Sequence, residues 1–333
     1  MKYILVCLLS TIYATSSWAA QLPEFSSLVD IGKRQIHIRT MGSESHQPTI
    51  ILLSGPNQHW HSDSAWFSLL QPLLAEKNHV ISVDRAGNAW STTSEQASYQ
   101  LFAQDLKALI KTLNLDDIIF VNFASSNITS ILLGDMLKDL NVKGMVWIDP
   151  DIILPHSISL YADYPASWYQ KNITQLLPHI AGSNWTEKTV KRNTTQVLTI
   201  EKLIPASYGS LMDWPYFKAV QQQRISITNQ QTVAREIAHY HQDLILAEKQ
   251  GMNWDIPISV INTDFELHDI TPETENYAAI KKWQTEGDEW SCYIAKNSGG
   301  EYLAINDGDH LIMFQQPEVV AKVIERLIIK LRE

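Results

Sequence analysis

Past Gln21 the chain alternates short strand-like runs rich in apolar residues with longer amphipathic segments, and that rhythm restricts the fold more than any other feature. Runs at residues 35–40, 49–53, 79–83, 117–123, 144–148, 256–261 and 301–305 predict strands. Several lack polar alternation, as expected where both faces of a sheet are covered. Between the third and fourth runs, Phe102, Leu106, Leu109, Ile110 and Leu113 share one face at helical spacing, and Asn114 stands where that helix ends. A last helix is predicted from Pro317 through Val320, Val323, Ile324, Leu327 and Ile328, with Pro317 suited to a first turn. Together these give an α/β class: a doubly wound, mostly parallel sheet wrapped by helices.

Residues 152–251 break the rhythm. They carry many aromatics, among them Tyr161, Tyr164, Trp168, Tyr169, Trp185, Tyr208, Trp214, Tyr216 and Phe217, and no clear apolar strand. A helical cap inserted between two sheet strands accounts for both, and such caps roof binding clefts. The organisation expected is a leader at 1–19, a first core part at 20–151, the cap at 152–251 and a second core part at 252–333.

The leader follows from Met1-Lys2, an apolar run at 3–13 too short to span a membrane, and Ser17-Trp18-Ala19 before the expected cleavage after Ala19 or Ala20. Export to a secreted or periplasmic location, with no integral membrane segment after cleavage, is the expectation. Cys7 leaves with the leader, so Cys292 is the one mature thiol and no internal disulfide is possible. Cys292 lies in a strand-like run and reads as a small core residue. With 45% hydrophobic and 19% charged residues the chain is globular, and a formal charge of −10 argues against nucleic acid as a partner.

Three segments carry a resemblance. Residues 49–60, TIILLSGPNQHW, place Leu53-Ser54-Gly55-Pro56-Asn57 after a strand. Residues 80–91, VISVDRAGNAWS, contain Asp84, Arg85, Gly87 and Ser91, with Ala89 in the place of a glycine. Residues 306–320, NDGDHLIMFQQPEVV, put His310 before a short apolar run and a Pro-Glu helix start. In order and separation these resemble the α/β-hydrolase superfamily, in particular its proline iminopeptidase and esterase-like branch, over nearly the whole mature length.

The resemblance implies a role for each segment. The first would build an oxyanion hole, with the Gly55 N–H as donor because Pro56 has none. The second is a structural turn. The third would carry the catalytic histidine, His310, and the acid that orients it would follow the 256–261 strand, at Glu266 or Asp264. The family's Gly-x-Ser-x-Gly elbow falls on IIFVNFASSNITSIL at 118–132, which has no glycine. Two registers are open. One puts Ala124 at the nucleophile position, with Asn122 and Ser126 in the glycine places and Ser130 on the helix behind. The other makes Ser125 the nucleophile, adds a Ser126 N–H to the oxyanion hole, and forces bulky Phe123 into a cramped place.

Three functions stay open accordingly: hydrolysis of a small ester, amide or related bond through Ser125; a non-catalytic binding protein on the same fold; and proton abstraction by His310 without a nucleophile, as the resemblance allows. A small-molecule substrate is expected and no cofactor is implied. His59, His61 and Asp63 give an incomplete metal-ligand pattern, since Ser64 follows, so no metal is expected. His239-Tyr240-His241 reads as a surface feature of a polar helix.

Overall fold

The computed structural model describes residues 22–45, 48–55, 61–252, 255–268 and 270–333. The expected leader, Pro56, Asn57 and His59 lie outside them.

Eight strands form one sheet: β1 (Ser26–Asp30), β2 (Gln35–Met41), β3 (Thr49–Ser54), β4 (His79–Val83), β5 (Ile118–Phe123), β6 (Val142–Ile148), β7 (Ile258–Thr263) and β8 (Tyr302–Ile305). Their order is β1-β2-β4-β3-β5-β6-β7-β8. The first two pairings, β1 with β2 and β2 with β4, are antiparallel and the rest are parallel.

The apolar runs hide a period of two. Ile51 and Leu53 of β3 and Phe120 of β5 pack on one face. Ile50, Leu52, Ile119, Val121 and Phe123 pack on the other. Both faces are covered by helices, so neither row of side chains needs to be polar. The edge strand β1 is half-exposed, and its SSLVD sequence carries no continuous apolar signal, which is why it escapes a pattern search.

The covering helices are α1 (Leu70–Ala75), α2 (Tyr99–Thr112), α3 (Asn127–Leu133), α4 (Met136–Asp139), α5 (Pro155–Ala162), α6 (Ala166–Ala181), α7 (Thr186–Leu203), α8 (Trp214–Arg224), α9 (Ile227–Gln250), α10 (Tyr277–Ser298), α11 (Ile312–Gln315) and α12 (Pro317–Arg332). The α2 helix starts where the Ser98 side chain accepts from the Leu101 N–H, and Asn114 follows its end at φ +51°. Helices α5 to α9 fall between β6 and β7, with no strand among them. Cys292 lies in α10 rather than in a strand, because its apolar neighbours sit at helical spacing along one face. No described helix is long and apolar enough to cross a membrane.

Buried ion pairs fasten α8 and α9 to the sheet side. Arg224 of α8 donates from Nε and Nη2 to the two oxygens of Asp63, at 2.6 and 2.7 Å. Arg85 meets Glu236 of α9 through Nε at 2.9 Å and also donates to the Ser54 carbonyl. Arg39 pairs with Asp213, the residue that caps α8, and lies over the Tyr216 ring. Asp84 takes the His37 ring nitrogen at 2.7 Å and the Ser64 hydroxyl at 2.6 Å, so the expected structural turn is tied into the core.

Candidate active site

The carboxyl ends of β5 to β8 converge on one cavity of about 310 Å3, roofed by α5 and α9. Parallel strands leave their carboxyl ends open to loops, and ligands collect there. Each strand delivers one group. Ala124 follows β5, Asp149 follows β6, Thr263 ends β7, and His310 lies beyond β8.

At the elbow the backbone decides between the registers. Ala124 sits at φ +49°, the left-handed conformation that a sharp strand-to-helix turn imposes on its apex. Its neighbour Ser125 has ordinary helical surroundings in the short 3-10 turn Ala124–Ser126 that runs into α3. Among the described residues lining the cavity, the elbow contributes Ala124 and not Ser125. The Ser125 hydroxyl points into the protein, where it is hydrogen-bonded to the Tyr99 hydroxyl. The expectation of Ser125 facing His310 is thereby corrected, because a residue one place past the apex leaves the turn in another direction.

Small polar side chains replace the missing glycines by filling the turn with hydrogen bonds. Asn122 Nδ2 donates to the Ser126 carbonyl and to Ser130 Oγ, both at 2.9 Å. Ser126 Oγ donates to the carbonyls of Leu53 and Phe123, at 2.8 and 2.9 Å. Gly55 lies against this turn so closely that a Cβ there would stand 2.6 Å from the amide nitrogens of Ser125 and Ser126. Its own N–H donates to the Phe123 carbonyl at 2.8 Å, so Gly55 is not the free oxyanion donor expected. Its part is steric: only glycine fits.

His310 is held by two aromatic rings and at one nitrogen. The Phe265 and Phe123 rings lie 4.2 and 4.8 Å from its centroid. Nδ1 is 3.0 Å from Asp149 Oδ2, and the same carboxylate accepts from the Thr263 N–H at 2.6 Å and from its hydroxyl at 2.8 Å. With Nδ1–H donated to Asp149, Nε2 is the nitrogen that carries a lone pair. Side-chain bonds within 307–315 fix the loop, Asp309 N–H to Gln315 at 2.8 Å and Leu311 N–H to Asp309 at 2.7 Å.

The acid is therefore Asp149 and neither Glu266 nor Asp264. Asp264 accepts from the Gly308 N–H and lies 3.0 Å from His268, a separate surface arrangement. Burial works against it, but the Asp307 and Gly308 backbone N–H groups and His268 hold its carboxyl below the ordinary value. Glu266 lines the cavity, and burial, with Asp149, Asp288 and Asp264 nearby, pushes it up to about 9. Sequence did carry a signal for Asp149, since it directly follows the apolar 144–148 run, the strand next to the elbow strand.

Tyr240 was read as part of a surface feature, yet it is buried, lines the cavity and donates its hydroxyl to Asp151. Asp151 also lines the cavity, and burial pushes it up to about 8. Asp63 of the incomplete His59/His61/Asp63 pattern has both oxygens on Arg224. Among the described residues Asp264, His268 and Asp307 bring possible ligand atoms within 4.8 Å of one another, and their hydrogen bonds account for the grouping.

Fold and site together define an α/β-hydrolase-fold protein with a His–Asp pair and an alanine at the elbow. Solved structures similar to it over most of their length include an α/β-hydrolase-fold protein from Burkholderia ambifaria (TM-score 0.57, 14% identity, 90% of this chain and 98% of that one). An epoxide hydrolase from Vigna radiata aligns with TM-score 0.61 at 15% identity, over 92% of this chain and 98% of that one. E-2-(Acetamidomethylene)succinate hydrolase aligns with TM-score 0.52 at 17% identity, over 91% and 98%. In sequence, the chain is 32% identical over 128 residues to 1H-3-hydroxy-4-oxoquinoline 2,4-dioxygenase of Pseudomonas putida, a match spanning 38% of this chain and 44% of that relative. No family model matches.

Proposed function

We propose that this chain is a general-base enzyme built on the α/β-hydrolase fold. His310 takes a proton onto Nε2 from a small organic substrate in the cavity, and Asp149 stabilises the imidazolium that results. No covalent intermediate forms at the elbow. The observation that carries this reading is Ala124 at φ +49° lining the same cavity as His310, with the Ser125 hydroxyl on Tyr99. A methyl group at the apex cannot attack a carbonyl, while the His–Asp pair remains complete. The partial sequence relative bears the name of a dioxygenase of a hydroxy-oxoquinoline, which agrees with chemistry other than acyl transfer.

A substrate-independent probe tests the reading. 5-Nitrobenzisoxazole opens to a coloured phenolate when a positioned base removes its ring C–H proton, and it needs no nucleophile. Wild type should accelerate the opening, and His310→Ala should lose roughly a hundredfold or more of that rate. Asp149→Asn should fall with it, since the two act as a unit. Wild-type rates equal to those of His310→Ala would instead support a binding protein.

A further inference from the structure

The cavity has a second polar end, and its chemistry is one-sided. Tyr161 stands between Trp283 and Tyr240, with ring centroids 5.7 and 6.3 Å away. Asp151 and Glu266 line the same space. Three buried oxygens on lining residues, Glu266 Oε2, Asn262 Oδ1 and Gln284 Oε1, have no hydrogen-bond partner among the described residues. Asn262 is only 7% exposed. Its amide nitrogen already donates to Asp288 at 3.0 Å, and that of Gln284 donates to the Thr263 carbonyl at 3.2 Å. Those bonds fix both amides and leave the oxygens as acceptors. The donor nearest them, Trp283 Nε1, acts on the Tyr161 hydroxyl instead.

Charge points the same way. No Lys or Arg is among the described residues lining the cavity. The charged groups that act on Glu266 are Asp149, Asp288 and Asp264, all acids, and they add to its burial in raising it. Buried carboxyls without a cation are held neutral at a cost, which a positively charged ligand would remove.

From this acceptor surplus, ringed by aromatic faces, we infer that the cavity binds an organic cation: a protonated primary amine on a small apolar body. Its N–H groups bond Glu266, Asn262 and Gln284, and its charge lies against the Tyr161 and Trp283 rings. This names the substrate class of the general-base site and rests on that reading for the reacting end alone. A cationic substrate also suits the base chemistry. Losing a proton to His310 lowers its net charge to zero, so no new anion forms beside the Asp151 and Glu266 carboxyls.

Calorimetric titration of the protein with benzylamine, benzyl alcohol and benzoate near neutral pH separates cation, neutral and anion on one scaffold. Benzylamine should bind roughly tenfold or more tighter than the other two. Glu266→Gln should remove most of that preference, with Asp151→Asn as a second variant, and thermal melting should show both folded. His310→Ala should keep the preference while losing benzisoxazole opening, so the two proposals fail separately. Benzyl alcohol binding as tightly, no binding by benzylamine, or a preference unchanged in both carboxyl variants overturns the inference.

Discussion

Ala124 holds a backbone conformation that costs an L-residue on the order of 1 kcal/mol or more, and the hydrogen bonds from Asn122 and Ser126 hold the turn in place against that cost. Glu266 is a second residue in a costly state, and its cost depends on pH. Its folded value of about 9 lies above the ordinary 4.5, so between those values the folded chain keeps a proton that the unfolded chain releases. Stability is thus lost as pH rises through that window. Glu266→Gln removes the effect, so its melting temperature should exceed that of wild type by about 2 °C or more at the alkaline end, with the gap closing towards acid pH. A gap independent of pH would show that Glu266 is not held protonated. His310 was legible in the sequence because a loop, an apolar run and a Pro-Glu helix start surround it. Asp149 was not singled out, because the family pattern directs attention to a later strand. The elbow was ambiguous for a physical reason: the flanking glycines that would mark its register are replaced by Asn122 and Ser126, neither of which has a positive φ, and whose hydrogen bonds fill the turn instead.

Among the elements, seven of the eight strands were readable, and β3, β4, β5 and β7 most plainly, since burial on both faces leaves them mostly apolar. The half-exposed β1 was not. What no pattern could show is how α8 and α9 are fastened. Arg224 and Asp63 are each about 1% exposed in their side chains and are 161 residues apart in sequence. Removing one partner strands the other charge, so Arg224→Leu should cost about 3–5 kcal/mol in denaturant unfolding. Asp63→Leu combined with Arg224→Leu should cost less than Arg224→Leu alone, because no buried charge is left unpaired. A double variant less stable than the single would mean that the pair contributes net attraction beyond its desolvation. The Arg85–Glu236 pair fastens α9, part of the roof over the cavity, in the same way.

At the scale of the whole molecule, a fold whose architecture builds an elbow for a nucleophile here delivers a methyl group to that point and keeps a histidine hydrogen-bonded to an aspartate beside it. The sheet order and the cavity at its carboxyl edge follow the α/β-hydrolase fold. Labelling with a serine-reactive fluorophosphonate probes the apex directly. Wild type should not label, and Ala124→Ser should gain labelling that disappears when His310→Ala is added, since the new hydroxyl would stand at the apex facing the same cavity. Wild-type protein that labels, and loses the label in Ser125→Ala, would contradict a nucleophile-free site.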